Sequence, residues 1–152
     1  MAVALAVAFV VSGLGGALTD VGEWYRDLEK SALNPPDFVF GLVWTIIYGL
    51  CVAAAVIGWR RIEGISDRGR LLALFAVNAI FNLAWSALFF TVKRPDWALA
   101  EVFVLALSVA ALIVFFRPRA PLSAALLVPY LLWVSFAAFL NYEVVRLNAP
   151  FG

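Results

Sequence analysis

Residues 23–44, EWYRDLEKSALNPPDFVFGLVW, decide how the rest of the chain must be read. Five of the ten acidic residues, Asp20, Glu23, Asp27, Glu29 and Asp37, lie in or just before this stretch, beside the adjacent aromatics Trp24 and Tyr25. Asn34-Pro35-Pro36 forms a rigid turn, because a proline ring fixes its own backbone and cannot sit inside a helix. The same prolines fit just before or at a first helical turn, so they introduce the apolar segment that carries Trp44 about two turns in. A polar, ordered stretch set between apolar runs reads as a lid over a pocket between helices.

Outward from this stretch the chain is apolar. Of its 152 residues 65% are hydrophobic and 14% charged, with mean hydropathy +0.99. A soluble domain carries about 25% charged residues, so this chain lacks the polar surface to meet water on all sides, and its solvent is lipid. At about 20 residues per crossing, the pattern predicts five transmembrane helices at about 2–18, 38–59, 71–92, 97–116 and 121–145, in one domain spanning 1–152. The first run could be a signal peptide, but no Lys or Arg precedes Arg26. Its Ser12 and Gly16 form a small-xxx-small pair, which reads equally as a helix contact or as tolerated small residues. Residues 60–70 read as a charged connector with Gly64 and Gly69; Lys93-Arg94-Pro95 and Arg117-Pro118-Arg119 close the third and fourth spans, and Asp96 is a candidate N-cap. Pro129 falls inside the fifth. Six Lys/Arg in the two connectors on the N-terminal side against five on the other is too small a bias to orient the protein. Trp59 and Trp97 fall at span ends, where interfacial anchoring explains them.

The composition excludes several functions. No histidine is present and Cys51 stands alone, which leaves no thiolate metal cluster, intrachain disulfide or imidazole base, and no metal site is expected. A net charge of +1 gives no case for nucleic acid. A retinal Schiff base needs a mid-helix lysine, and the lysines are Lys30 in the loop and Lys93 at a helix end. No carboxylate lies mid-membrane for proton coupling. Glu101, about one turn into its helix, is expected to hydrate or snorkel.

Polar groups within the spans are the candidates for function, because lipid offers them no partner. Asn78 and Asn82 are four apart and share one face of the third span, with Trp85 and Ser86 nearby. Asn82 reads equally as an interhelical hydrogen bonder and as pocket lining. Trp44 and Trp133 are too deep for an interfacial belt, and an indole N–H at depth needs a partner. Such a set suits a large, flat, mostly apolar ligand held by aromatics and a few amides. Leu140, Tyr142 and Arg146 formally match a sterol-recognition pattern that is weak in any protein.

Residues running through nearly the whole chain resemble the TspO/MBR family, the tryptophan-rich sensory proteins that include the mitochondrial translocator protein (peripheral-type benzodiazepine receptor). They are Trp24-Tyr25 with Leu28-Glu29-Lys30; Asn34-Pro35-Pro36; Val39-Phe40-Gly41 with Val43-Trp44-Thr45 and Tyr48; Phe81-Asn82 with Trp85-Ser86 and Phe89-Phe90; Pro129-Tyr130-Leu131 with Trp133; and Leu140-Asn141 with Arg146-Leu147-Asn148.

The resemblance implies a five-helix membrane bundle, usually homodimeric, with a pocket capped by the first long, partly ordered loop. It implies binding of porphyrins such as protoporphyrin IX, or of other planar apolar ligands, with Tyr25, Trp44, Asn78, Asn82 and Trp133 around the ligand and no required cofactor. The function it implies is that of a tetrapyrrole sensor or carrier in a bilayer, here expected to be a bacterial cell membrane. An alternative is an enzyme that degrades protoporphyrin IX in light, with Trp44 and Trp133 as its catalytic residues; a further one is a sterol-binding or scaffold protein. Lacking histidine, the chain suits free porphyrin better than haem. It departs from the family at Lys30-Ser31-Ala32-Leu33, where a Lys-Pro-x-Trp is frequent, which implies a looser lid; Leu42 replaces a common proline and Asn78 a frequent glutamine.

Overall fold

The computed structural model describes residues 11, 13–19 and 22–151. Residues 11 and 13–18 are helical (α1); the rest of the expected first span, with Ser12, lies outside the described residues. A short helix α2, Glu23–Asp27, follows, and then four long ones: α3 Asp37–Arg61, α4 Ile65–Ser86, α5 Pro95–Phe116 and α6 Pro121–Asn148. No strand occurs among the described residues.

Each boundary has a local cause. Pro36 stands at the N-cap of α3, and Arg60 and Arg61 meet the negative end of its dipole. The expected charged connector 60–70 is a correction: only residues 62–64 join α3 to α4. Gly64 makes the turn at φ 98°, which favours glycine, and nothing after it stops a helix. The charges there are used instead at the helix ends. Asp67 accepts from Arg119 Nε at 2.9 Å and Arg70 at 3.3 Å, while Arg68 lies 5.0 Å from the Trp59 ring centre. Asp96 is likewise no N-cap. Pro95 opens α5, and the Asp96 carboxylate pairs with Arg94 at 2.8 and 2.5 Å.

α4 does not end as an α-helix but widens into a π-helical turn, Ala87–Thr91. Such a turn shifts side-chain phase, and here it buries the consecutive rings of Phe89 and Phe90, 4.8 Å apart. α5 packs between α4 and α6, and α6 between α5 and α3, so α3 and α4 are the loosely apposed pair. Val102, Leu105, Val109, Leu112 and Phe116 of α5 fill the core. Phe116 approaches α3 so closely that a Cβ on Gly58 would lie 2.2 Å from its Cε1.

The four long helices, counting α4 with its π turn, run 22–28 residues and are apolar enough to cross a membrane. Their large outward side chains, Ile46, Ile80, Leu107 and Leu132 among them, are exposed, an apolar surface that suits lipid and not water. The protein is an integral membrane protein.

Candidate functional site

Where α3 and α4 stand apart, a cavity of about 400 Å³ opens beneath the first loop. Trp44 and Tyr48 of α3, Trp85 and the π-turn phenylalanines, and Trp133 of α6 supply its aromatic walls. Gly15, Gly16 and Thr19 close one side, and Tyr25, Asn34 and Asp37 stand toward the loop. The rings brace one another. Trp44 stacks on Tyr48 at 5.6 Å and meets Tyr130 edge-on at 5.9 Å, and Phe40 meets Trp133 at 5.7 Å. This size and composition lie in the range of cofactor and small-molecule sites.

The polar floor is a one-way chain of hydrogen bonds. Tyr48 OH donates to Asn82 Oδ1 at 3.0 Å, Asn82 Nδ2 to Tyr130 OH at 3.2 Å, and Tyr130 OH to Asn78 Oδ1 at 3.3 Å. Asn78 Nδ2 then donates to Ser108 Oγ at 2.8 Å, which donates to the Leu105 carbonyl at 2.7 Å. Four helices are tied through one apolar interior, and both amides are held in a single orientation. A second amide, Asn141, accepts from Trp85 Nε1 at 3.2 Å and donates to the Pro95 carbonyl at 2.8 Å, fixing the Trp85 indole against the cavity. By contrast Trp133 Nε1 is buried with no hydrogen-bond partner among the described residues.

The loop over this space is anchored at several points. Tyr25 inserts from α2 against Phe89 and Phe90, at 6.5 and 5.5 Å, and Trp24 meets Phe89 at 6.2 Å. Burial first, and then the Asp37 charge, push the Tyr25 phenol above its ordinary value, while the Asn34 side chain opposes them. Lys30 donates to the Tyr25 carbonyl and to the Leu28 carbonyl at 3.2 Å, capping α2. Asn148, at the end of α6, grips the loop backbone. Its Oδ1 accepts from Glu29 N at 2.8 Å and its Nδ2 donates to Glu29 O at 2.8 Å. The sequence alone marks Asn148 only within a resemblance, since a clamp joining residues 119 apart leaves no local signature.

Of the expected site residues, Tyr25, Trp44, Asn82 and Trp133 come together around the cavity. Asn78 does not line it. Although it shares a face with Asn82, α5 covers it and both its amide atoms are engaged by Ser108 and Tyr130. The sterol pattern is divided: Leu140 is 7% exposed and faces the cavity, Tyr142 is 51% exposed, and Arg146 is exposed and pairs with Glu143 at 2.8 Å. Beyond the expected set, Tyr48, Trp85, Phe89, Phe90 and Asp37 also line the cavity. For Tyr48 the signal was its spacing of four from Trp44, which places both on one face. Glu101, expected to snorkel, has both carboxylate oxygens buried without a partner among the described residues, outside the cavity lining. Among the described residues no metal-binding cluster occurs.

A model of the TspO/MBR family matches residues 2–147. The chain is 41% identical to the tryptophan-rich sensory protein of Cereibacter sphaeroides over 133 residues, 88% of this chain and 82% of that one. It is 33% identical to the translocator protein of Homo sapiens over 126 residues, covering 82% of this chain and 75% of the other. With the tryptophan-rich protein TspO of Chlorobaculum tepidum it shares 36% identity over 129 residues, 82% and 79% of the two chains.

Proposed function

Because this chain belongs to the TspO/MBR family and holds an aromatic cavity among its membrane helices, we propose that it binds a planar tetrapyrrole, as a sensor or carrier. The observation that carries this reading is the cavity: Trp44, Trp85 and Trp133 around one space, with the Asn82 amide in its floor. A flat, π-rich ring gains most from indole and phenol faces and needs few hydrogen bonds. The first loop, fastened by Tyr25 and Asn148, lies at the mouth of the cavity. Protoporphyrin IX is the ligand to try first, bound as the free ring in a chain without histidine.

The complete assembly we infer is a five-span bundle, α1 belonging to the first span, that pairs as a homodimer in a bacterial cell membrane. Cross-linking in bilayers should trap a dimer, and a purely monomeric pattern refutes the pairing. For the ligand, titration of the purified protein with protoporphyrin IX should quench tryptophan fluorescence at micromolar concentration. Unchanged fluorescence would remove the tetrapyrrole reading.

A second reading, photo-oxidative degradation of the porphyrin, is favoured by one feature. Trp44 sits against the rings of both Tyr48 and Tyr130, in the same cavity as Trp133. The excited macrocycle would take an electron from an indole, with dioxygen as the final oxidant. Illumination of the complex would then give a new spectral product that is lost in Trp44→Phe and Trp133→Phe but kept in Trp59→Phe. Binding without turnover leaves the sensor or carrier.

A further inference from the structure

The end of the bundle away from the first loop is a basic surface. A Cβ on Gly58 of α3 would strike the Phe116 ring of α5, and Arg119 reaches Asp67 of α4 at 2.9 Å, so the α3–α4 and α5–α6 turns lie side by side. Arg60, Arg61, Arg68, Arg70, Arg117 and Arg119 gather there against two acids, Glu63 and Asp67. At the other end, among the described residues, five cations meet six acids, and both lysines are at that end. Cations alone divide almost evenly; the acids and the choice of arginine make the ends different. Three of the six arginines are engaged. Arg119 and Arg70 share Asp67, and Arg68 donates to the Ile62 carbonyl at 3.0 Å beside the Trp59 ring. Arg60, Arg61 and Arg117 are exposed and make no ion pair among the described residues, and Glu63 pairs with none of them. At the same end stand two exposed apolar side chains, Trp59 at 40% and Ile65 at 92%.

We propose that this end binds acidic phospholipid: Arg60, Arg61 and Arg117 hold headgroup phosphates, and Trp59 and Ile65 pack at the boundary between headgroups and acyl chains. The four long helices are membrane spans, so their terminal turns lie at headgroup depth, where an exposed tryptophan is at home. A guanidinium presents several N–H donors in a fixed plane that matches phosphate oxygens, which an ammonium does not. All three arginines also complement the negative ends of α3 and α5, but that interaction uses no N–H donor and leaves the guanidinium groups open to an anion. A zwitterionic headgroup brings its own cation beside the phosphate, whereas an acidic one brings net negative charge to a surface with a positive excess. At the opposite end the acids offset the cations, so the same lipid gains nothing there. This surface is independent of the tetrapyrrole reading, because none of these residues lines the cavity.

The test uses the full chain in neutral detergent, with phosphatidylglycerol and phosphatidylcholine of the same acyl chains added in equal amounts and bound lipid counted by native mass spectrometry. The wild type is compared with Arg61→Gln/Arg117→Gln and with Arg26→Gln/Lys93→Gln, which removes the same charge from the other end. All four side chains are exposed and make no ion pair, so the fold is not at stake. The wild type should retain phosphatidylglycerol over phosphatidylcholine by about tenfold. Arg61→Gln/Arg117→Gln should fall to within about twofold of parity, while the control pair keeps the preference. As a second readout, phosphatidylglycerol should raise the melting temperature of the wild type more than phosphatidylcholine does, and high salt should shrink the difference. Parity between the lipids on the wild type overturns the proposal, and so does an equal loss in the two double variants, which would mean that net charge alone sets the preference. Inorganic phosphate that stabilises the wild type as well as phosphatidylglycerol does would also overturn it, since the surface would then bind a free anion and not a lipid.

Discussion

Asn82 shows how much one side chain does in this cavity. Its amide accepts from Tyr48 and donates to Tyr130, so truncation leaves the Tyr48 phenol without its acceptor and removes one of the two bonds of Tyr130, which keeps its donation to Asn78. Asn82→Ala is expected to cost about 1–2 kcal/mol, read as a lower thermal midpoint in detergent, and to weaken porphyrin binding as well. Asn78→Ala should show a comparable stability loss with ligand affinity kept, because that amide lies behind the wall. Gly58 tests packing instead of polarity. A Cβ there meets Phe116 Cε1 at 2.2 Å, so Gly58→Ala should destabilise by about 1–3 kcal/mol, and Phe116→Leu in the same chain should recover much of it. Glu101 should behave in the opposite sense. Its unpartnered buried carboxyl makes Glu101→Leu stabilising, by about 1–3 kcal/mol in a thermal melt; an equal loss would mean that the carboxyl is satisfied in the membrane.

Among the elements, the first loop and the π turn matter most to the cavity. Leu33 is exposed, and its backbone N–H donates to Ser31 Oγ at 3.3 Å within the loop. The loop is fastened elsewhere, by Tyr25 in the π-turn aromatics and by Asn148 on Glu29. Asn148→Ala should therefore speed hydrogen exchange at the Glu29 amide and accelerate ligand release more than it lowers the melting temperature, since those bonds are exposed. Tyr25 adds a pH signature. Burial raises its phenol above the ordinary value of 10.0, so its contribution is intact below pH 10.0 and is lost as pH rises through the higher folded value. Tyr25→Phe should accordingly flatten part of the alkaline loss of stability, followed as melting temperature against pH.

For the whole molecule, four membrane-crossing helices between Asp37 and Asn148 return the chain to the side it left, and the Glu29–Asn148 pair requires that return. In a Cys51→Ser background, Ala32→Cys and Ala149→Cys should be labelled by an impermeant maleimide from one face of oriented vesicles, and Glu63→Cys from the other. Labelling of residues 32 and 149 from opposite faces would contradict this arrangement.

What the sequence determined by itself was the solvent, the approximate spans and the set of residues from which a site could be built. Composition, charge placement and the proline turn at 34–36 are local properties, and lipid rewards them wherever they occur. It also carried the family resemblance, which the match over residues 2–147 supports. Only the tertiary structure decided which polar groups meet the cavity. Helices apolar nearly all round give no rotational phase, so Asn78 and Asn82, on one face, separate only when α5 covers the first and α3 stands back from the second. The same holds for the π turn that brings Phe89 and Phe90 inward together, and for Asn148 on Glu29. Both depend on what a distant segment presents across the bundle, and no spacing along the chain encodes it.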